Sequence, residues 1–544
     1  MSIPQSSQIH EIGNRVRAWS ARTSLNVWQG AALIGCLHVA VALLAYDPTP
    51  QAGGDNAAYR ALAEALATGR GYVRLWEPAH PMETLYPPVF PLILAAAYRL
   101  GEQSFAALQL LMVALSTAGV VAMYCWLRRT LSPVGALVCG LIIALSPGVL
   151  DLSHAILSDI PFAALSALAL WAFASAEPGT DLPAGWKNGR LVIGILATIA
   201  AYFTRSAGLP LLLAALIWLA WKGRYAALGG LLLLVAPLAL AWSARARHAG
   251  GANYADYLRY VDPYQPALGR ADGVALISRV FENAANYGSQ HLPVLLFGTH
   301  DGFAVLGGWL VLVLAALGFR MRLGRLSVAE LWIPMYVGIL LLWPQAWSGE
   351  RLLLPIFPLI LAYAALAFPF VRLHVADRWI GVVLIIGVIA ALVNDGERIS
   401  RGLACTAAYR RGEPNPCVEN GWKDYFAVAR SLHERLPAGA VVMSRKPTIL
   451  YAESGYPSMV FPLSTAPDTL LSEARKIGAQ YLLVDASALT QRYVYEVLRE
   501  HPSRFCSVPD HRQNLALLLR IEPENPAVSP DTGTIVDCKP ANRP

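Results

Sequence analysis

Residues 191–221 read LVIGILATIAAYFTRSAGLPLLLAALIWLAW, an apolar run too long for a single helical crossing of the roughly 30 Å hydrocarbon layer of a bilayer. Its only charge, Arg205, stands at the middle beside Gly208 and Pro210. A cation at the centre of a span is costly and proline interrupts a helix, so the stretch divides into two helices, 191–204 and 207–221, meeting at one membrane face. The same reading works outward. Uncharged apolar segments of spanning length occur at about 27–46, 104–127, 130–150, 160–176, 225–244, 303–319, 331–347, 352–371 and 379–394, which makes about eleven transmembrane helices. PVFPLILAAAY, at 88–98, opens with prolines and is too short to cross; it reads as a re-entrant or interfacial segment.

Composition agrees. Of 544 residues, 56% are hydrophobic and 15% are Asp, Glu, Lys or Arg, against roughly a quarter charged in soluble domains. Collagen-like and disordered classes are excluded, and seven cysteines are too sparse for a disulfide framework. The net charge of +7 follows topology rather than a nucleic-acid partner. With the N-terminus in the cytoplasm, every inward connection is basic, from Arg15, Arg17 and Arg22 through Arg128, Arg129, Lys187, Arg190, Lys222, Arg224, Arg320, Arg322 and Arg325 to Arg372 and Arg378. The outward loops hold few positives, mainly Arg205, Arg245, Arg247 and Arg351, as the positive-inside rule requires. The first apolar segment lacks a small-residue cleavage pattern before Asp47 and reads as a retained signal anchor.

The expected organisation is a cytoplasmic segment 1–25, a transmembrane domain 26–396 and an outward C-terminal domain 397–544. In the last, AVVMSR (440–445) and QYLLVDA (480–486) read as buried strands, and 468–478 and 487–500 as helices, giving a small α/β domain. Cys405, Cys417, Cys506 and Cys538 lie there, where an oxidising compartment permits disulfides; the sequence-near pairings are Cys405 with Cys417 and Cys506 with Cys538. Cys36, Cys125 and Cys139 lie in spans, as small apolar core residues.

Two outward loops, about 47–102 and 245–302, exceed what connection needs, and long ordered loops are where function concentrates. In the first, Ala58, Leu62, Ala65 and Leu66 recur at helical spacing against Arg60 and Glu64, the pattern of a short amphipathic helix on the membrane surface. Asp55 begins it and Asp159 begins the fourth span; each suits a helix cap. Two carboxylates at one mouth of a membrane bundle, both reachable from one interfacial cavity, instead favour acid/base work or metal binding. The second loop carries Tyr254, Tyr257, Tyr260 and Tyr264 among Asp256, Arg259 and Asp262, a mixture suited to a membrane interface or to sugar stacking.

Gly54-Asp55-Asn56-Ala57-Ala58-Tyr59, then Glu83-Thr84-Leu85-Tyr86-Pro87-Pro88-Val89-Phe90-Pro91, then Ser158-Asp159 and finally Glu350-Arg351-Leu352-Leu353-Leu354-Pro355 resemble, in order and side of the membrane, the membrane glycosyltransferases of the GT-C fold. The nearer likeness is to the bacterial protein-mannosyltransferase and lipid A aminoarabinose-transferase group. The resemblance covers roughly residues 25–395. It implies a bacterial inner-membrane enzyme with its C-terminal domain periplasmic, a polyprenyl-phosphate sugar donor, and a lipid A, glycan or protein acceptor. The absence of GxGxxG and P-loop patterns accords with this. Asp55 matches the proposed catalytic base, Asp159 the second acidic position and Tyr59 the aromatic after the base. Asn56 and Ala58 replace an acidic residue and an arginine of the aminoarabinose transferases, and Tyr86 replaces a lysine, which argues against that sugar.

The expected chemistry is displacement at the anomeric carbon, with Asp55 as general base. The leaving phosphate needs cations, for which Arg60, Arg205 and Arg351, the last beside Glu350, are candidates, with Tyr59 and Tyr86 as further donor or acceptor contacts. A divalent metal on His80 and Glu83 is the one cofactor considered. A secondary transporter is the alternative of another class, although charge at one face and no repeat tell against it; a non-catalytic subunit of a polysaccharide-assembly system is the third.

Overall fold

The computed structural model describes residues 25–50, 53–101, 104–177, 183–250, 257–374, 377–513, 516–522 and 537–538. The N-terminal arginines 15, 17 and 22, and Tyr254 and Asp256 of the second loop, lie outside the described residues. The chain packs as two compact units. One holds the chain up to Tyr46 with Gln109–Leu240 and Leu276–Ala404; the other holds Asp47–Leu108, Ala241–Ala275 and Cys405–Pro544. Neither coincides with the division at 396/397, because the first long loop, and the second as far as Ala275, group with the C-terminal region.

The first unit is helical. Its principal helices are Val27–Leu44, Phe105–Thr130, Pro133–Ala144, Asp159–Ala176, Ala184–Tyr202, Leu209–Trp221, Tyr225–His248, Gly302–Arg322, Val328–Leu342, Phe357–His374 and Asp377–Arg410. Each apolar segment of the sequence thus contains a helix. Among the described residues, five helices are long and apolar enough to cross a membrane, or six when the pair Pro133–Ala144 and Pro147–Ser153 counts as one span. That pair is bent by 54°, since Pro147 cannot donate to the preceding turn and Ser146 caps a new helix through Val149 N. The 191–221 run breaks as its residues dictate. The helix ends at Tyr202, Arg205 is extended, Ser206–Gly208 forms a 3₁₀ turn, and Pro210 opens the next helix.

Small residues set the helix spacing. A Cβ on Gly119 would meet Ala164, and one on Gly318 would run into the Tyr363 carbonyl, so these helices approach closely. Several polar groups turned inward find partners. His38 bonds through Nδ1 to the Ala144 carbonyl (2.8 Å) and through Nε2 to Ser116 Oγ (2.9 Å). Buried Glu330 accepts from Arg322 and from the Tyr363 hydroxyl. Leu233, Leu306 and Val313, by contrast, are largely exposed, the outward apolar face that a helix needs in lipid. The chain is a multi-pass membrane protein.

The second unit is built on a five-stranded sheet, order β2-β1-β3-β5-β4, with β1 Val442–Met443, β2 Ser458–Met459, β3 Tyr481–Asp485, β4 Phe505–Gln513 and β5 Ala516–Ile521. β1 is parallel to β2 and β3, while β5 runs antiparallel to β3 and β4. Alternation divides the strand residues between two cores. Val442, Leu483 and Leu518 pack with Tyr425, Phe426, Ile449 and Leu450; Met443, Leu482, Val484 and Leu519 pack with Phe461, Leu470 and Val497. Helices Asn420–Arg435 and Pro447–Ser454 supply the first set, Pro467–Ile477 and Tyr495–Glu500 the second. Both sequence-near disulfides, Cys405–Cys417 and Cys506–Cys538, are present.

The helix expected at 58–66 spans Asp55–Ala67, but its apolar side does not lie bare for a membrane surface. Ala58, Ala61 and Leu62 are buried with Trp76, Tyr72, Tyr86 and Tyr451, and Ala57 joins the first core of the sheet. Arg60 is half-buried, with its guanidinium 5.3 Å from the Phe105 ring.

At the C-terminal end of β3, Asp485 accepts from Arg445 Nε (2.7 Å), Ser487 Oγ (2.6 Å) and Thr490 Oγ1 (2.5 Å). Burial would raise its pKa, but the two hydroxyls and the guanidinium outweigh burial and hold it below the usual carboxylate range. A depressed carboxylate stabilises the fold above its unfolded pKa of about 3.9, and that contribution disappears as pH falls through the lower folded value. Asp485→Asn therefore leaves the Arg445 charge unpaired and is expected to cost about 3 kcal/mol at neutral pH. Thermal melts of the full chain should show the gap between variant and wild type narrowing below about pH 4.

Candidate active site

Asp55 and Asp159 occupy the same local position in different units. Each is the first residue of its helix, after the N-cap residues Gly54 and Ser158 respectively. Both sit where unpaired backbone N–H groups and the helix dipole favour negative charge.

Around Asp55 the site is built by the loop that precedes Pro87. The Tyr86 hydroxyl donates to Asp55 Oδ1 at 3.0 Å. Tyr59 lies one turn beyond Asp55 on the same face; its ring meets Tyr86 edge-on at 4.9 Å and Phe90 at 4.8 Å, and it is buried. Tyr59 thus packs behind Tyr86 and is no open stacking platform. Arg60 projects about 140° around the helix from Asp55, toward Phe105.

Glu83 organises that loop. Its Oε1 accepts from the backbone N–H groups of Thr84 (2.8 Å), Leu85 (2.5 Å) and Tyr86 (3.1 Å), and Oε2 pairs with Arg74 Nε at 3.1 Å. His80 and Glu83, the pair considered for a divalent metal, stand in different surroundings. The Glu83 carboxylate is buried and already neutralised by these donors. His80 is exposed at a tight turn with φ +46°, and among the described residues no cluster of three metal-ligating side chains includes either one. The clusters that do occur contain the two disulfides.

Sequence reasoning missed Arg245, counted only as an outward positive. It donates from Nε to the Glu83 carbonyl (3.0 Å) and from Nη2 to the Tyr72 carbonyl (2.5 Å). The Tyr72 hydroxyl donates to the Tyr86 carbonyl at 2.7 Å; burial first, and the Glu83 charge second, push its pKa well above the usual range, so it remains a donor. In the second loop, the Tyr264 carbonyl accepts from the Tyr493 hydroxyl at 2.7 Å.

In the helical unit, Asp159 is buried and pairs through Oδ1 with Arg205 Nη1 at 2.5 Å; the same guanidinium reaches Ser158 Oγ at 3.4 Å. Asp159 Oδ2 is buried with no hydrogen-bond partner. The broken 191–221 run thus delivers its one cation to the second acidic position. Glu350 begins the short helix Glu350–Leu353, with Arg351 half-buried next to it, and its carboxylate lies 3.8 Å from His291 Nδ1. His291 closes a π-helical turn, Tyr287–His291, a distortion frequent at functional sites. Buried Tyr336 has Arg205, Asp159 and Tyr287 as its electrostatic neighbours. Also unforeseen, Arg398 forms a two-point pair with Asp151 at 2.9 Å. His154 is a satisfied interior histidine, bonded to the Ala42 carbonyl.

Residues 85–244 match the family model of the dolichyl-phosphate-mannose-protein mannosyltransferases. No curated protein matches the chain by sequence. Among solved structures, ArnT from Cupriavidus metallidurans bound to undecaprenyl phosphate superposes with a TM-score of 0.57 at 14% identity, over 90% of this chain and 97% of that one. Its apo form gives 0.55 at 13% identity, with the same coverage of both chains. The archaeal oligosaccharyltransferase AglB from Archaeoglobus fulgidus, in complex with an inhibitory peptide and a dolichol-phosphate, gives 0.53 at 14% identity over 88% of this chain and 72% of that one. At such identities the likeness is one of fold. The chain has the fold of the GT-C membrane glycosyltransferases and resembles ArnT and the protein mannosyltransferases.

Proposed function

We propose that the protein transfers a sugar from a polyprenyl-phosphate donor to a hydroxyl of a lipid, glycan or protein acceptor at the outer face of a bacterial inner membrane. The observation that carries this reading is Asp55, set at the head of its helix with Tyr86 on one oxygen, in a fold shared along nearly the whole chain with a protein solved with undecaprenyl phosphate. Eleven spans, a cytoplasmic N-terminus and an outward C-terminal region complete it.

In the proposed step the acceptor oxygen attacks the anomeric carbon. The new C–O bond forms as the bond to the phosphate oxygen breaks, polyprenyl phosphate leaves with that electron pair, and Asp55 takes the acceptor proton. An attack from the face opposite the leaving group inverts the anomeric configuration. The Tyr86 hydroxyl, donating to Asp55 Oδ1, fixes the orientation of the base. The departing phosphate carries its own negative charge and needs cations rather than an acid. Arg205, aimed by Asp159 and Ser158, takes that role, with Arg351 as a second cation; a guanidinium matches phosphate geometry. Asp159 acts by placing Arg205. Arg60, turned to Phe105, is not assigned to the donor. Tyr86, where related transferases carry a lysine, contributes a neutral hydrogen bond, so the donor differs from aminoarabinose.

Purified protein in nanodiscs, supplied with an undecaprenyl-phosphate-linked sugar and membrane glycolipid from a strain lacking the protein, tests this directly. Asp55→Asn should lower kcat by about 10²-fold or more at unchanged melting temperature; full turnover by a folded Asp55→Asn variant would sink the base assignment. Tyr86→Phe removes one hydrogen bond to a charged group, about 1.5–3 kcal/mol, and should slow kcat by about 10- to 100-fold. Arg205→Met and Asp159→Asn should lose activity together, with a double variant no worse than Arg205→Met alone.

A further inference from the structure

The C-terminal region has no place in the chemistry proposed so far, yet one of its segments reaches the backbone from which Asp55 springs. After β1 the chain enters the helix Pro447–Ser454 by way of Arg445 and Lys446. Lys446 Nζ donates to the Gly53 carbonyl at 3.1 Å, and Thr448 Oγ1 donates to the Gly54 carbonyl at 2.9 Å. Two side chains from one turn thus hold the two consecutive carbonyls that immediately precede Asp55. The Gly54 carbonyl also accepts from Ala58 N, the first hydrogen bond of the helix Asp55–Ala67, so the contact falls on the turn that orients the carboxylate.

Three further observations make this a built contact. Gly54 has φ +92°, a left-handed conformation that glycine adopts without steric cost and that leaves the chain free to turn elsewhere unless held. A Cβ at Gly54 would lie 3.4 Å from Lys446 Cδ and 3.5 Å from Thr448 Oγ1, so the two segments are in van der Waals reach. The turn is also anchored on both sides. The Tyr425 hydroxyl donates to the Lys446 carbonyl at 3.0 Å, Tyr451 packs on the cluster of Ala58, Ala61, Leu62 and Trp76, and Ser458 N donates to the Trp76 carbonyl at 2.6 Å. Tyr451 and Ser458, both in the segment 451–463, thus belong to this anchor.

We propose that Lys446 and Thr448 are positioning residues for Asp55, through which the sheet-bearing region sets the geometry of the proposed base. The inference rests on the reading of Asp55 as the general base. Neither residue touches the reacting atoms; they act on where Asp55 stands. A base displaced by about 1 Å can lose on the order of 10²-fold in rate, so the expected signature is a loss in kcat rather than in donor binding.

The test uses the full chain in nanodiscs with the same undecaprenyl-phosphate-linked sugar, comparing wild type with Thr448→Val, Thr448→Ser, Lys446→Met and Asp55→Asn. Kinetics are read alongside backbone hydrogen exchange. Thr448→Val and Lys446→Met should each lower kcat by about 10- to 100-fold with donor KM within about twofold. Exchange should quicken at residues 55–59 but not in β3 or β5, and Thr448→Ser, which keeps the donor, should behave as wild type. Unchanged kcat and exchange in both variants, while Asp55→Asn is inactive, would overturn the positioning role and leave the base assignment standing. Quickened exchange throughout the sheet, with Thr448→Ser as impaired as Thr448→Val, would overturn it in favour of general destabilisation. Quickened exchange at 55–59 with full activity, in Asp55→Asn as well, would overturn it by removing the base reading on which it rests.

Discussion

Backbone N–H and C=O groups have no partner in hydrocarbon, and this constraint shapes the rest of the molecule. It forces the apolar segments into helices and leaves polar chemistry to helix ends and breaks. The candidate carboxylates obey it closely: Asp55, Asp159 and Glu350 are each the first residue of a helix. There the unpaired N–H groups of the first turn lower the cost of a negative charge. The cation opposite Asp159 obeys it too. Arg205 sits in the interruption between two helices, held extended between Tyr202 and the turn at Ser206–Gly208, where a guanidinium can be placed without burying it along a helix face.

Around Asp55 the organising force is electrostatic. Buried Glu83 gathers three backbone N–H groups and Arg74, and Arg245 closes the same loop by binding the carbonyls of Glu83 and Tyr72. A carboxylate so fully committed makes a rigid turn, and that turn aims Tyr86 at Asp55. A residue that reads as a possible metal ligand by type alone acts instead as an internal counter-ion and template for the loop. The difference lies in its partners, none of which is close enough in sequence to suggest the pairing except the three residues that follow it.

The legible part of the fold was the part governed by local pattern. The break at Arg205, the helix beginning at Asp55, two of the strands and both disulfide pairings correspond to runs, periods or spacings in the chain. The bend after Ala144 was not foreseen within the 130–150 segment, although Ser146-Pro147 is a capping signal that a hydropathy reading passes over. The illegible part was the set of partners. Arg245 lies far along the chain from Glu83, Arg398 from Asp151, and Lys446 from Gly53. A single sequence carries no trace of such pairings, because any exposed cation satisfies the local pattern equally well.

The sequence by itself determined that this is a multi-pass helical membrane protein with its notable carboxylates at helix starts, because hydropathy, proline and glycine act over a few residues. Only the tertiary structure decided what those carboxylates and the loop residue Glu83 meet: Tyr86 for Asp55, Arg205 for Asp159, Arg74 and three amides for Glu83. It also decided that the first long loop, and the second as far as Ala275, group with the C-terminal region. These outcomes depend on packing between segments distant in the chain, where burial and charge pairing are set by the assembled neighbours rather than by the order of residues.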